Sequence, residues 1–317
     1  MDDERLLAFF RTMLLIRRFE ERLAEMSQAG QVPGMLILCN GQEAIAAGVC
    51  AALERDDLIV TNHRSHGHLL ARGADPSRLA AEVCGRATGY NRGKSGTLHI
   101  AVPEVNALCT TTVVGGGVPI ATGLAFAAHY RREPRVTVCF FGEGASNEGS
   151  FHEAVNLAAV WELPVVFACE SNQFAGAQRW DDQFRIANVA ERAGAYGIPG
   201  RVVDGNDVAA VYEAARESVE RARKGGGPTL LELKTYRLLG HGSTDKQLYV
   251  PAEELAYWRG RCPVARLQAE LMDRGVLDEA ALARLESEVS EIVEASAAFA
   301  LTSPWPAPEE ALEDVYA

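Results

Sequence analysis

Along the N-terminal stretch, apolar residues recur at helical spacing: Leu6, Phe9, Phe10, Met13, Leu14, Phe19 and Leu23 stand among charged neighbours. That rhythm predicts an amphipathic helix over residues 3–29, ended by Gly30 and the turn Val32-Pro33-Gly34. A second helix is predicted from near Gln42, and Ala- and Leu-rich helical stretches follow around 65–72 and 76–87. The rhythm then fails over 88–116, an irregular, Gly-containing segment too long for a simple connector. Segments of that length in compact proteins are usually functional or disordered.

From Gly117 the pattern becomes an alternation. A helix over 118–131 leads to Val136-Thr-Val-Cys-Phe-Phe141, and a helix over 149–161 leads to Pro164-Val-Val-Phe-Ala-Cys169. Both runs are apolar on the two faces, as central strands of a parallel sheet covered by helices must be. A strand near 201–203, a helix over 207–224 and the strand Thr229–Tyr236 continue the series. The expected fold is α/β: a doubly wound, mostly parallel sheet flanked by helices, with helical N- and C-terminal extensions. One domain over 1–317 accommodates it, with the N-terminal helix, a core over about 35–240 and a C-terminal extension over about 250–300. Residues 252–300 are charge-rich and read as a solvated helical face, and the tail from Pro304 carries three prolines and many acids.

Composition narrows the function classes. With 43 acidic against 31 basic side chains the net charge is −12, which disfavours nucleic acid and anionic membrane as partners. The opening Met1-Asp2-Asp3-Glu4-Arg5 lacks the basic region of a signal peptide, and no apolar run approaches the roughly 20 residues of a membrane span. The seven cysteines are scattered, odd in number and form no C-x-x-C pair; Cys139 and Cys169 fall inside the buried runs, where cysteine acts as a small hydrophobe. A reducing, cytoplasmic compartment is expected.

The chemistry concentrates in Gly142-Glu143-Gly144-Ala145-Ser146-Asn147-Glu148-Gly149 and Glu170-Ser171-Asn172. Each follows the C-terminal end of a predicted parallel strand, where doubly wound sheets bind ligands. Glycines let backbone approach an anion closely, and the N–H groups of 144–146 can face a phosphate. Glu143 and Asn172 are hard oxygen donors 29 residues apart, about one strand–helix–strand unit. One carboxylate, one amide and backbone carbonyls suit Mg²⁺, which completes its shell with phosphate oxygens and water. Alone, Gly-Glu-Gly is also an ordinary tight turn; as a dinucleotide fingerprint it fails, because Asn147 occupies the third glycine position. The crowd His63, His66, His68 lacks the partner cysteines or second ligand pair of structural zinc, and His68 reads as a packing residue.

These motifs resemble the signature of thiamine diphosphate enzymes, and the wider chain resembles the α subunits of the pyruvate, branched-chain 2-oxo acid and acetoin dehydrogenase family. The resemblance spans about residues 5–275 through collinear landmarks: Gly41-Gln42-Glu43-Ala44, Arg64-Ser-His66-Gly67, Gly85-Arg86-Ala-Thr-Gly89, His99-Ile100, Phe151–Ala159, Asp204-Gly-Asn-Asp207 and Tyr236-Arg237-Leu-Leu-Gly240-His241. It implies thiamine diphosphate and Mg²⁺ as cofactors. Glu143, Asn172 and the carbonyl of Phe174 would hold the metal, and the N–H groups of Gly144 and Ala145 the diphosphate. His63 and Arg64 would reach the diphosphate from the first half, Val114 would touch the aminopyrimidine through its backbone, and His241 would close over the cofactor from a mobile loop. His241 and His66 are the candidate catalytic residues.

The family's catalytic glutamate lies on a β subunit, so the resemblance implies an α₂β₂ heterotetramer passing an acyl group to lipoamide on a lipoyl acyltransferase. Four departures stand out. Glu143 replaces the commoner aspartate, as in branched-chain members, and Ser171 replaces the first asparagine of the pair. Ile37 stands where many members carry an active-site histidine, and Gly242 where a serine follows the loop histidine. The last two lie on the substrate side and leave two alternatives: a two-component carboligase with a carbonyl acceptor, or a non-catalytic scaffold of the same fold.

Overall fold

The computed structural model describes residues 1–313; the last four positions of the proline-bearing acidic tail lie outside the described residues. The predicted N-terminal helix forms as α1 (Asp3–Gln28), capped where the Asp2 carboxylate accepts the Arg5 N–H at 2.8 Å. The chain then runs α2 (Glu43–Ala51), β1 (Leu58–Asn62), α3 (His66–Ala71), α4 (Pro76–Val83), β2 (Ala107–Thr111), α5 (Gly117–Arg131), β3 (Thr137–Gly142), α6 (Gly149–Val160) and β4 (Val165–Ser171). A two-residue-per-strand hairpin, β5 (Phe174–Ala175) and β6 (Gln178–Arg179), precedes the short α7 (Trp180–Gln183) and a 3₁₀ segment, Val189–Tyr196. The series closes with β7 (Gly200–Asp204), α8 (Val208–Arg223), β8 (Thr229–Lys234), α9 (Ala252–Arg259), α10 (Pro263–Asp273) and α11 (Glu279–Thr302).

Six strands form one parallel sheet in the order β2-β1-β3-β4-β8-β7. Alternation along its central strands divides the core in two. Val138, Phe140, Val166 and Ala168 face a layer that includes α1, α2, α4, α8 and α11. Cys139, Phe141, Val165, Phe167 and Cys169 face α5, α6 and the 3₁₀ segment. This is the doubly wound architecture the alternation predicted.

Two strands of the six-stranded sheet, and the short hairpin β5–β6, were not predicted. β1 and β2 are five residues each, too short for a periodic signal, and β2 is an edge strand of Ala, Leu, Cys and Thr inside the segment read as irregular. The rest of that segment is ordered by one buried carboxylate. Glu82 accepts the N–H groups of Asn91, Gly93 and Ser95 at 2.7–2.9 Å and the Ser95 hydroxyl at 2.7 Å. A second buried carboxylate, Asp57, fixes the entry to the sheet: it accepts the N–H of Val136 and pairs with both terminal nitrogens of Arg223, at 3.1 and 2.7 Å.

The C-terminal region is less solvated than its charge implied. α11 buries Leu285, Val289, Val293, Ala297 and Ala300 against its neighbours α4 and α1, and keeps its acids for ion pairs such as Arg22–Glu294. No helix of the described residues is long and apolar enough to cross a membrane.

Candidate active site

After β1 the chain moves outward to β2, and after β2 it returns across β1 to begin β3. That reversal leaves a crevice beyond the carboxyl ends of β1 and β3, the place where open α/β sheets bind ligands. A cleft of about 750 Å³, its open mouth included, occupies it. His63, Arg64, Val114, Glu143, Gly144, Ala145, Asn172, Phe174 and His241 all line this cleft. Residues from five separate stretches of sequence are thus brought to one cavity.

Glu143 and Asn172 meet at the ends of the adjacent strands β3 and β4, where Gly142 and Glu170 are in register. Glu143 is 1% exposed; its Oε2 accepts the Asn172 N–H at 3.3 Å, while Oε1 is buried with no hydrogen-bond partner among the described residues. Burial pushes the carboxyl up to about 7. A carboxylate held this way lacks compensation, and an adjacent divalent cation would provide it. Asn172 is oriented by Gln42, whose Oε1 accepts from Nδ2 at 3.2 Å, and its Oδ1 receives the Phe174 N–H at 3.3 Å. The donor set of one carboxylate, one amide oxygen and nearby carbonyls fits Mg²⁺ and does not fit zinc; among the described residues no three His, Cys, Asp or Glu side chains cluster as metal ligands. At Gly144 a Cβ would fall 2.6 Å from Cβ of Ala175, so the hairpin β5–β6 sits directly against that glycine.

Two buried arginines stand at or near the cleft, of which Arg64 lines it. Arg64 is buried, donating to the Leu38 carbonyl at 2.6 Å and to the His241 carbonyl at 3.1 Å. Arg237, 1% exposed, donates to the Gly176 carbonyl at 2.9 Å and to the Tyr249 hydroxyl. Among the described residues neither guanidinium has a carboxylate within ion-pair distance, and burial pushes both below the usual arginine range, Arg64 to about 10. Arg64, desolvated and without a counter-ion on the cleft wall, suits an anion; Arg237 lies outside the lining and reaches the site through His241. Both also approach Nδ1 of His241, at 3.3 and 3.4 Å. Guanidinium only donates, so Nδ1 is the acceptor and Nε2 carries the proton. Burial, reinforced by Arg64 and Arg237, keeps His241 below its ordinary value. His63, whose ring centroid is 5.5 Å from that of His241, is pushed down to about 3 by burial and then by Arg64.

The structure does not bring every candidate to the cleft. His66 is fully buried outside the cleft lining, with Nδ1 3.0 Å from Glu20 and Nε2 2.7 Å from the Thr97 hydroxyl. Both ring nitrogens are committed to the scaffold behind Arg64. Ile37 is likewise buried and outside the lining. Conversely, Glu170 lines the cleft, held by Asn62 at 2.5 Å and His68 at 3.1 Å, and Arg237 was quoted only as part of a landmark. A fully buried arginine cannot be told from a surface one by sequence; its only signal was its place four residues before the loop histidine.

A parallel switch-point cleft with an oxygen-donor pair at adjacent strand ends and a buried arginine on its wall defines a class: an open α/β protein with its ligand site at the topological switch point. The chain belongs to the dehydrogenase E1 component family, whose model matches residues 11–309. It is similar to the α subunit of acetoin:2,6-dichlorophenolindophenol oxidoreductase of Bacillus subtilis, 42% identical over all of this chain and 95% of the relative. The corresponding subunit of Cupriavidus necator is 40% identical over the same shares. The pyruvate dehydrogenase E1 component subunit alpha of Zymomonas mobilis is 40% identical over 98% of this chain and 88% of the relative.

Proposed function

We propose that this chain is the α subunit of a thiamine diphosphate-dependent dehydrogenase acting on a 2-oxo acid or acetoin. The observation that carries the reading is the pairing of Glu143, with its unpartnered buried oxygen, and Asn172 at neighbouring strand ends of an E1-family chain. Glu143, Asn172 and the Phe174 carbonyl would hold Mg²⁺; Gly144, Ala145, His63 and Arg64 would hold the diphosphate, and Val114 would meet the aminopyrimidine. When bound, thiamine diphosphate supplies an electron sink for cleaving the bond beside the substrate carbonyl.

This chain's own residues bind, orient and close. Arg64 offers charge already stripped of water, which strengthens its hold on an anion, and Arg237 adds positive charge beside His241. His241 stays neutral and presents an Nε2–H donor from a loop pinned at two points: Asp245 accepts the His241 N–H at 2.7 Å, and the Leu36 carbonyl accepts the Ser243 N–H at 2.8 Å. The pinned loop leaves His241 available to deliver a hydrogen bond at the cleft mouth.

The cleft is only half enclosed. Val113 and Val114 on its rim are 67% and 56% exposed, and Phe126, Leu157, Val160 and Trp161 continue the apolar surface along α5 and α6. That exposed apolar surface supports a second polypeptide covering the cofactor, which we read as a β subunit in an α₂β₂ assembly; the E1 family membership is what adds a lipoyl acyltransferase as acceptor, and we place the assembly in the cytoplasm. Purified α with its β chain should reduce 2,6-dichlorophenolindophenol with pyruvate, a branched 2-oxo acid or acetoin, only when thiamine diphosphate and Mg²⁺ are present. The α chain alone should be inactive. Turnover by α alone, or by the pair without cofactor, overturns the proposal.

A further inference from the structure

Beyond the cleft walls, one arginine joins the diphosphate turn to the segment that follows the metal-site asparagine. Arg192 lies in the 3₁₀ segment Val189–Tyr196 and is only partly exposed. Its Nη1 donates to the backbone carbonyl of Ser146 at 2.6 Å, and Nη2 donates to Oδ1 of Asn147 at 2.5 Å. Nη1 also lies 3.1 Å from Nε2 of His152, which must accept, and His152 Nδ1 is 2.5 Å from the Tyr196 hydroxyl. Nε is buried without a hydrogen-bond partner, and among the described residues no carboxylate comes within ion-pair distance. A partly desolvated guanidinium spent on neutral acceptors carries a cost, and burial accordingly holds Arg192 below the usual arginine range.

What it grips gives the reason. Ser146 and Asn147 end the 3₁₀ turn Glu143–Asn147, which carries Glu143, Gly144 and Ala145 on the cleft wall. Inside, the Ser146 hydroxyl donates to the Glu143 carbonyl at 2.7 Å, closing the turn on itself. Outside, Arg192 fixes the plane of the 146–147 peptide, because its carbonyl cannot rotate without breaking a charge-assisted bond. The same guanidinium sits 5.5 Å over the ring of Phe184, which stacks on Trp180 at 4.1 Å, so the segment carrying α7 packs on it too.

We infer that Arg192 is a positioning residue for cofactor binding: it holds the Glu143–Asn147 turn in its anion-receiving form and couples that turn to the 174–185 segment. This deepens the reading of the cleft as a thiamine diphosphate site and rests on it. Arg192 touches no cleft atom, so its removal should reach the cofactor only through the turn.

The test uses the α–β complex, with thiamine diphosphate titrated calorimetrically at saturating Mg²⁺ and apo-protein melting recorded in parallel. Arg192→Met should weaken cofactor binding by about tenfold or more while the apo melting temperature stays near wild type. Arg192→Lys should recover part of the loss, and Asn147→Ala, which removes one acceptor, should weaken binding less and add little on top of Arg192→Met. If wild type binds and Arg192→Met binds equally well, or if its affinity falls only in step with melting, the inference is overturned. Should Arg192→Met fail to fold, Arg192→Lys and Asn147→Ala decide by the same criterion. Wild-type protein that binds no cofactor sinks the reading of the cleft instead.

Discussion

Replacing Glu143 with glutamine should make the cofactor-free protein more stable at alkaline pH while destroying its metal site. The carboxyl is buried, one oxygen lacks a partner, and burial moves its protonation midpoint from an ordinary 4.5 to about 7. At about 1.4 kcal/mol per pH unit, ionising it in the fold costs about 3.5 kcal/mol more than in the unfolded chain. Because the folded value lies above the unfolded one, the stability that the protonated carboxyl contributes is complete below pH 4.5. It is lost as pH rises through about 7. Between about pH 5 and about pH 8.5 the wild type should therefore lose about 2.5 kcal/mol relative to Glu143→Gln. Urea denaturation in EDTA across that range measures the difference. Adding Mg²⁺ and thiamine diphosphate should reverse the order, since only the carboxylate offers the cation a full charge. Parallel stability curves in EDTA would show that Glu143 is not the strained ionisable group described here, and the argument for its metal role would fail with them.

Gly144→Ala should weaken cofactor binding by about tenfold with little change in stability, since its Cβ would press on Ala175 and displace the hairpin; calorimetry and thermal melting read the two effects separately. Asp57→Asn breaks a buried pair with Arg223 and should cost about 2–4 kcal/mol by urea denaturation, far from the cleft and without altering cofactor affinity. His63 is held down to about 3, below its unfolded value of 6.5, so its contribution is complete above 6.5 and lost as pH falls toward 3. His63→Gln should therefore move the acid-unfolding midpoint of the apo-protein to lower pH, followed by circular dichroism.

Much of this was legible in the sequence because its strongest signals are local. The runs Val136–Phe141 and Pro164–Cys169 could only be buried strands, and the motifs at their ends fell where such strands deliver ligands. The missed strands β1 and β2 depend on a sheet already formed beside them: their five residues have no periodicity of their own. Side-chain direction was equally hidden. His63 and Arg64 line the cleft, yet His66, two residues on, turns inward to Glu20 and Thr97 where β1 gives way to α3. The motif assigned it to the site; only the fold separates it. Arg237 acquires meaning from burial without a nearby carboxylate among the described residues, and Arg192 from the backbone carbonyl it grips, which no pattern of residue types conveys.

The central claim is that Glu143 and Asn172 share one divalent ion at the switch-point crevice. Anomalous diffraction from crystals of the α–β complex grown with Mn²⁺ and thiamine diphosphate tests it most directly. The account predicts one manganese peak per chain about 2.1–2.3 Å from a carboxylate oxygen of Glu143 and from Oδ1 of Asn172. A peak elsewhere, or bound cofactor with no ion between those side chains, would contradict it.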